Sequence, residues 1–231
     1  MNCRNPQEDG LLDRDVRLFA EECDSLQGFQ ILLESDSAWG GFAVEYLQVI
    51  RGEYPKASIW TWGAESGQAA PKRKLSFAQT ISSFYETTSL YIPLVQPTDI
   101  PSRISLDKSS YWHISALFSI LYDTITLSTR TRATHPYSMG MYDFESRVNV
   151  HGQRKFANSQ VAVLFDQPRI GDIMSFGWNG IPGKERPFMA SVFRGTISSD
   201  IDVLTKNLSH GYLLTERSVQ PFLLDGPDAD Y

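Results

Sequence analysis

The stretch Leu26–Trp62 reads L-Q-G-F-Q-I-L-L-E-S-D-S-A-W-G-G-F-A-V-E-Y-L-Q-V-I-R-G-E-Y-P-K-A-S-I-W-T-W, and its changes of period decide the fold. Phe29–Leu33 is a short apolar run with the length of a buried strand. Glu34–Gly41 is a polar turn that ends in glycine. Phe42–Tyr54 repeats at helical spacing, with Ala43, Leu47, Ile50 and Tyr54 on one face. Pro55 stops that helix, and Ile59–Trp62 reads as a second short strand. Strand, loop, helix, strand is a βαβ unit, which demands a parallel sheet and a right-handed crossover. Such sheets hold ligands at the carboxyl ends of their strands, against helix N-termini. The turn Glu34–Gly41 is therefore the position at which a phosphate would sit.

Working outward, Leu12, Val16, Phe19, Cys23 and Leu26 recur at helical spacing, and Gly28 is expected to end that helix. Gly63–Lys74 is small, polar and then basic, a surface loop. Its triplet Lys72–Arg73–Lys74 could meet an anion or a lipid headgroup, but such runs are more often solvated faces. Leu75–Thr88 is helical by pattern, with Phe77, Ile81 and Phe84 recurring. Ser89–Val95 reads as a strand that Pro93 confines to an edge or a strand end. Tyr111–Thr129 is the most apolar long helix. Ser109 or Ser110 can cap it, and its apolar residues run nearly all the way round, so burial on several sides is expected.

A boundary is expected near residue 133. The organisation is then a short N-terminal arm over 1–11, a first domain over 12–132, a second α/β domain over 133–225 and an acidic tail over 226–231. In the second part, Tyr142–Val150 is an acidic segment of uncertain type and Gln160–Phe165 a strand. Ile170–Gly183 reads as loop with a short helix, Arg186–Ile197 as a strand and Ile201–Leu208 as a helix.

With 231 residues, the chain is long enough to bury a sizeable core. A net charge of −6 argues against a nucleic-acid surface, which needs a basic patch. The two cysteines and four histidines have no metal-ligand spacing, so no metal site is expected. No run is apolar for the roughly 18 residues a membrane span needs. The first residues lack an apolar signal core, and their acids oppose an Arg-rich transit peptide. No enzyme signature stands out. The Ser37 context, S-D-S-A-W-G-G, is not a nucleophile elbow.

The strand, glycine-containing turn and amphipathic helix that begin at Gly28 resemble the tubulin superfamily. Arg17–Gln30, R-L-F-A-E-E-C-D-S-L-Q-G-F-Q, resembles its Misato family more narrowly. Arg186–Gly195 is similar to a tubulin strand that ends in Arg-Gly before a helix, and Tyr111–Thr129 to the helix joining the two halves of these proteins. The resemblance implies an α/β tubulin-like fold: a partial Rossmann-type parallel sheet with a central core helix, followed by a smaller α/β domain. It also implies a role in mitochondrial distribution, inheritance and cell division. That role would be exercised at the cytosolic side of the mitochondrion and in the cytoplasm. Partners would be tubulin-like copies of itself or mitochondrial surface proteins, with no nucleic acid and no transmembrane segment.

The same resemblance places the family's phosphate loop on Asp36, Ser37, Ala38, Trp39, Gly40 and Gly41. Glycines are needed there so that backbone can approach phosphates closely. Here the opening glycines have become Asp36, Ser37 and Ala38. Trp39 is bulky, and a carboxylate about 4 Å from a phosphate charge repels it by roughly 1–4 kcal/mol. A structural turn and helix cap is the favoured reading, with GTP as the ligand should one bind. A base-stacking tyrosine would fall on Tyr111, with His113 and Ser115 at the base-reading positions. A catalytic acidic loop would fall on Asp143 and Glu145, whose context M-Y-D-F-E matches loosely. The family's first strand and first Gly loop lie upstream of anything present, either in a longer protein or lost from a shortened one. Three readings follow: a non-catalytic protein with a decayed site, a weakly active self-assembling GTPase, or a fragment without activity of its own.

Overall fold

The computed structural model describes residues 10, 12–65, 71–98, 100–102, 104–134, 138–149, 152–162 and 173–177. The strand Arg186–Ile197, the helix Ile201–Leu208, the tail over 226–231, and His135, His151 and His210 lie outside them.

Two compact units are present: Met1–Gln96 with Gly152–Ala157, and Pro97–His151 with Asn158–Tyr231. The first is built on three parallel strands in the order β1-β2-β3: β1 Gly28–Glu34, β2 Ser58–Glu65 and β3 Leu90–Val95. The expected parallel α/β architecture is thus present. Helix α2, Ala38–Glu53, joins β1 to β2, and α3, Pro71–Thr87, joins β2 to β3. The register puts Phe29, Thr61 and Tyr91 on one face of the sheet. Phe29 meets Tyr54 at the end of α2, with ring centroids 5.0 Å apart. Tyr91 meets Phe84 of α3 at 5.8 Å. Both helices therefore cover the same face, as successive right-handed crossovers require. Trp60 and Trp62, on the opposite face, are fully buried.

Helix α2 buries Gly40, Ala43, Leu47 and Ile50, close to the expected stripe, and Tyr54 forms its C-cap just before Pro55. It starts at Ala38, not Phe42, because Ser37 caps it: the extended Ser37 accepts from the Trp39 N–H at 3.3 Å. The stretch expected as surface loop over Gly63–Lys74 is shorter than its composition suggested. Strand β2 runs to Glu65, and α3 begins at Pro71, a residue whose fixed φ and missing N–H suit a first helical position. The basic triplet is therefore helical.

The N-terminal helix departs further from expectation. A π-helical turn, Leu12–Arg17, runs into α1, Leu18–Glu22, which ends well before Gly28. The wider π turn breaks the 3.6-residue register, so the expected stripe does not form: Leu12 is buried while Phe19 is exposed. Arg17 ties this segment to α2 through Glu53 at 2.8 Å. Gly28 instead opens β1, at φ +156, where an added Cβ would lie 2.2 Å from the Ser58 carbonyl oxygen. That contact demands glycine for strand pairing, not for a helix cap.

Pro93 is at the edge, as expected. Tyr91 donates its N–H to Lys155 O at 2.6 Å and accepts from Ala157 N at 3.0 Å. Both its backbone groups thus point away from β2, and two residues on Pro93 presents its missing N–H to the same side. Gly152–Ala157 lies against that edge. Phe156 packs on Tyr85 and Tyr91, and the Lys155 ammonium donates to Tyr85 O at 2.7 Å. At the opposite end of the strands Arg51 acts as a clasp. It donates to the carbonyls of Thr87, Ala57 and Pro55 and to Ser89 Oγ, at 2.8–3.1 Å.

In the second unit, α4 spans Tyr111–Arg130 and α5 spans Met141–Val148. Strand β4, Gln160–Ala162, pairs antiparallel with β5, Ile173–Ser175. The short helix expected within Ile170–Gly183 is thus replaced, over its described residues, by a strand. The pairing of Val161 with Met174 and the bond from Phe176 N to Ser159 O account for that choice. The acidic segment resolves as helix α5. Helix α4 is less buried than its composition implies, with Leu117, Leu121, Thr126 and Ser128 alone fully covered. An all-round apolar surface permits burial only where neighbours arrive. Ser110 stands at the cap position of α4 without a side-chain cap bond. The Asp107 carboxylate accepts instead from Ser109 N and Oγ.

Candidate functional site

The turn between β1 and α2, with the first helical turn that follows it, carries the residues assigned to the candidate phosphate loop. Ser35 and Asp36 are buried, Asp36 to 4% exposure. Ser35 donates its N–H to Ala64 O at 3.0 Å, and its hydroxyl approaches the same oxygen at 3.3 Å. Gly40 N donates to Ser37 O at 3.0 Å, and Trp39 N is taken by the Ser37 hydroxyl. Two amides of the first helical turn are therefore already bonded within the chain.

The two glycines differ in kind. A Cβ on Gly40 would stand 2.4 Å from the Ser35 carbonyl oxygen and 3.1 Å from Thr80 of α3, so Gly40 is required by packing. A Cβ on Gly41 would meet nothing within 4 Å. Trp39, between Ser37 and these glycines, is 65% exposed.

Two further residues complete the turn, and neither stood out in the sequence. Tyr91 lies across the helix-covered face of the sheet, its single hydroxyl proton shared between Ser35 Oγ at 3.0 Å and Glu65 Oε1 at 3.3 Å. Its ring passes over Gly63, where an added Cβ would fall 2.0 Å from the phenol oxygen. Burial pushes the Tyr91 hydroxyl pKa well up, the Glu65 carboxylate adds to this, and Asp36 contributes in the same sense. Tyr91 is thus a neutral donor that joins the carboxyl ends of β1 and β2 from β3. The one sequence signal for it is Gly63 inside an apolar strand, which marks a close approach.

The remaining site residues lie in the second unit. Tyr111 is the first residue of α4 and is 93% exposed. His113 accepts at Nδ1 from Asp107 N at 3.0 Å, and the Ser115 hydroxyl donates to Trp112 O at 2.9 Å. Both polar groups are thus used locally at the start of α4. Asp143 is exposed in the first turn of α5, where a carboxylate complements the helix dipole. Glu145, two residues on, is half-buried. Among the described residues no cluster of His, Cys, Asp and Glu could hold a metal ion. No described helix is long and apolar enough to cross a membrane.

A tubulin domain is matched over residues 4–131. The chain belongs to the tubulin-domain family. Similar proteins include Protein dml1 of Aspergillus clavatus, 45% identical over 165 residues, covering 68% of this chain and 32% of that protein. Protein dml1 of Aspergillus niger is 39% identical over 175 residues, 69% of this chain and 36% of that one. Protein DML1 of Phaeosphaeria nodorum is 37% identical over 166 residues, with 68% and 32% covered. The chain thus spans about a third of the length of the curated relatives it matches. The Misato resemblance read at Arg17–Gln30 is borne out by these relatives.

Proposed function

We propose that this tubulin-like chain has lost nucleotide chemistry. It acts non-catalytically, through interactions, in mitochondrial distribution and inheritance and in cell division, from the cytoplasm and the cytosolic side of the organelle. One observation carries the reading: the turn at the phosphate position is filled from within. Ser37 and Ser35 take up backbone groups of the turn and of the strand beside it, Gly40 is packed against Ser35, and Asp36 brings a buried carboxylate. An incoming triphosphate would have to displace these bonds and face that charge. The biological setting comes from the Misato resemblance. Partners would be mitochondrial surface proteins or further tubulin-like subunits.

The second reading is a weakly active, self-assembling GTPase. The open space beside Gly41 favours it, because backbone can be approached there.

Trp39→Glu separates the two. Position 39 is exposed and in the first helical turn, so a carboxylate suits the helix dipole while opposing any nucleotide. In cells that depend on this protein, Trp39→Glu should restore mitochondrial distribution as well as the parent does. A folded Trp39→Glu protein that fails to restore it favours the GTPase.

A further inference from the structure

The first turns of α3 form a surface that the turn at the end of β1 does not use. Helices α2 and α3 both return against parallel strands, so they run in the same direction. Gly40 of α2 is level with Thr80 of α3. Helix α3 starts at Pro71 and α2 at Ala38, so α3 reaches about seven residues, or roughly 10 Å, past the start of its neighbour. Its exposure agrees. Arg73, Lys74, Leu75, Ser76, Ala78 and Gln79 are all exposed, and burial begins at Thr80. Leu75 is 65% exposed, an apolar side chain directly beside the cations.

The charge pattern is one-sided. From Ser66 to Tyr85 the sequence has no Asp or Glu, although the chain as a whole carries a net −6. Its charged residues there are Lys72, Arg73 and Lys74. Among the described residues neither Arg73 nor Lys74 makes an ion pair. Cations in a first helical turn oppose the helix dipole, an unfavourable placement that an anionic partner reverses.

We propose that the projecting start of α3 is a contact for an anionic lipid surface. Arg73 and Lys74 meet headgroup phosphates or carboxylates, and Leu75 enters the acyl boundary. Cations beside an exposed leucine fit a bilayer better than an acidic peptide. The peptide would match the charges and leave Leu75 in water. The proposal takes its setting from the organelle-surface role above. Its test uses neither nucleotide nor organelle, so either reading can fail without the other.

The test is sedimentation of the full chain with vesicles of phosphatidylcholine alone and of phosphatidylcholine containing phosphatidylserine. The parent should bind the mixed vesicles and ignore the neutral ones, with binding weakened by salt. The double substitution Arg73→Gln, Lys74→Gln should lower partitioning about thirtyfold. Leu75→Ser should lower it by about tenfold or more. Melting temperatures should match the parent's, because residues 73–76 are exposed. If the double variant fails to fold, Leu75→Ser and the single Arg73→Gln carry the test. The proposal is overturned by a folded parent that binds neither vesicle, by equal binding to both, or by variants that bind like the parent. Binding to polyglutamate in place of vesicles overturns it too, and identifies an acidic protein partner.

Discussion

Gly40 and Gly41 are adjacent letters with different reasons to exist. Gly40 is wedged against the Ser35 carbonyl, so Gly40→Ala should destabilise by about 1–3 kcal/mol. Gly41 faces open space, and Gly41→Ala in a helical turn should be neutral or stabilising by up to about 1 kcal/mol. Denaturant melts of the two variants check this; equal costs would refute the packing account. Tyr91 offers a pH test. Its folded pKa is raised above the unfolded value, so its contribution is fully present below about pH 10 and is lost as pH rises beyond it. Stability of the parent minus that of Tyr91→Phe should therefore be flat up to about pH 10. Above it, that difference should fall by up to about 1.4 kcal/mol per unit. A flat difference throughout would mean that the phenol is not held neutral by its surroundings. Apart from Gly63, which marks the close approach of Tyr91, none of this was legible in the sequence. Glycine at position 40 looked like a remnant of phosphate binding, and Tyr91 looked like one apolar residue in a strand. Contacts between residues 56 positions apart leave no local pattern.

The elements themselves were largely legible. The period change across Leu26–Trp62 placed β1, α2 and β2, and Pro93 declared its edge, because backbone periodicity and proline chemistry are local. Boundaries were lost where a single cap decided them. Ser37 moved the start of α2 back to Ala38, and Pro71 moved α3 back over the basic triplet. The π turn at Leu12–Arg17 was invisible because it breaks the spacing by which helices are recognised. Arg51 is the element-scale counterpart of a core residue. Its guanidinium ties the end of α2 to the end of α3 and to the segments leading into β2 and β3. Arg51→Ala should cost about 3 kcal/mol, and Arg51→Lys should recover little, since an ammonium cannot reproduce the planar fork. Chemical denaturation of both variants decides it; a full rescue by lysine would reduce the clasp to a charge effect.

At the scale of the whole chain, the α/β tubulin-like fold is established by sheet order, crossover helices and the matched domain. The role rests on the way the candidate site is closed. The turn after β1 and the start of α2 commit backbone groups and Gly40 to contacts within the protein, and the turn carries a buried carboxylate, Asp36. The most direct measurement is calorimetric titration of GTP and GDP into the folded chain, beside a variant carrying Asp36→Gly and Ala38→Gly. The account predicts no binding heat with the parent and none with the variant, because Gly40, Ser35 and Tyr91 still close the turn. Micromolar binding by the parent would contradict it. Binding by the double glycine variant alone would show that a pocket persists and that Asp36 and Ala38 were its whole barrier.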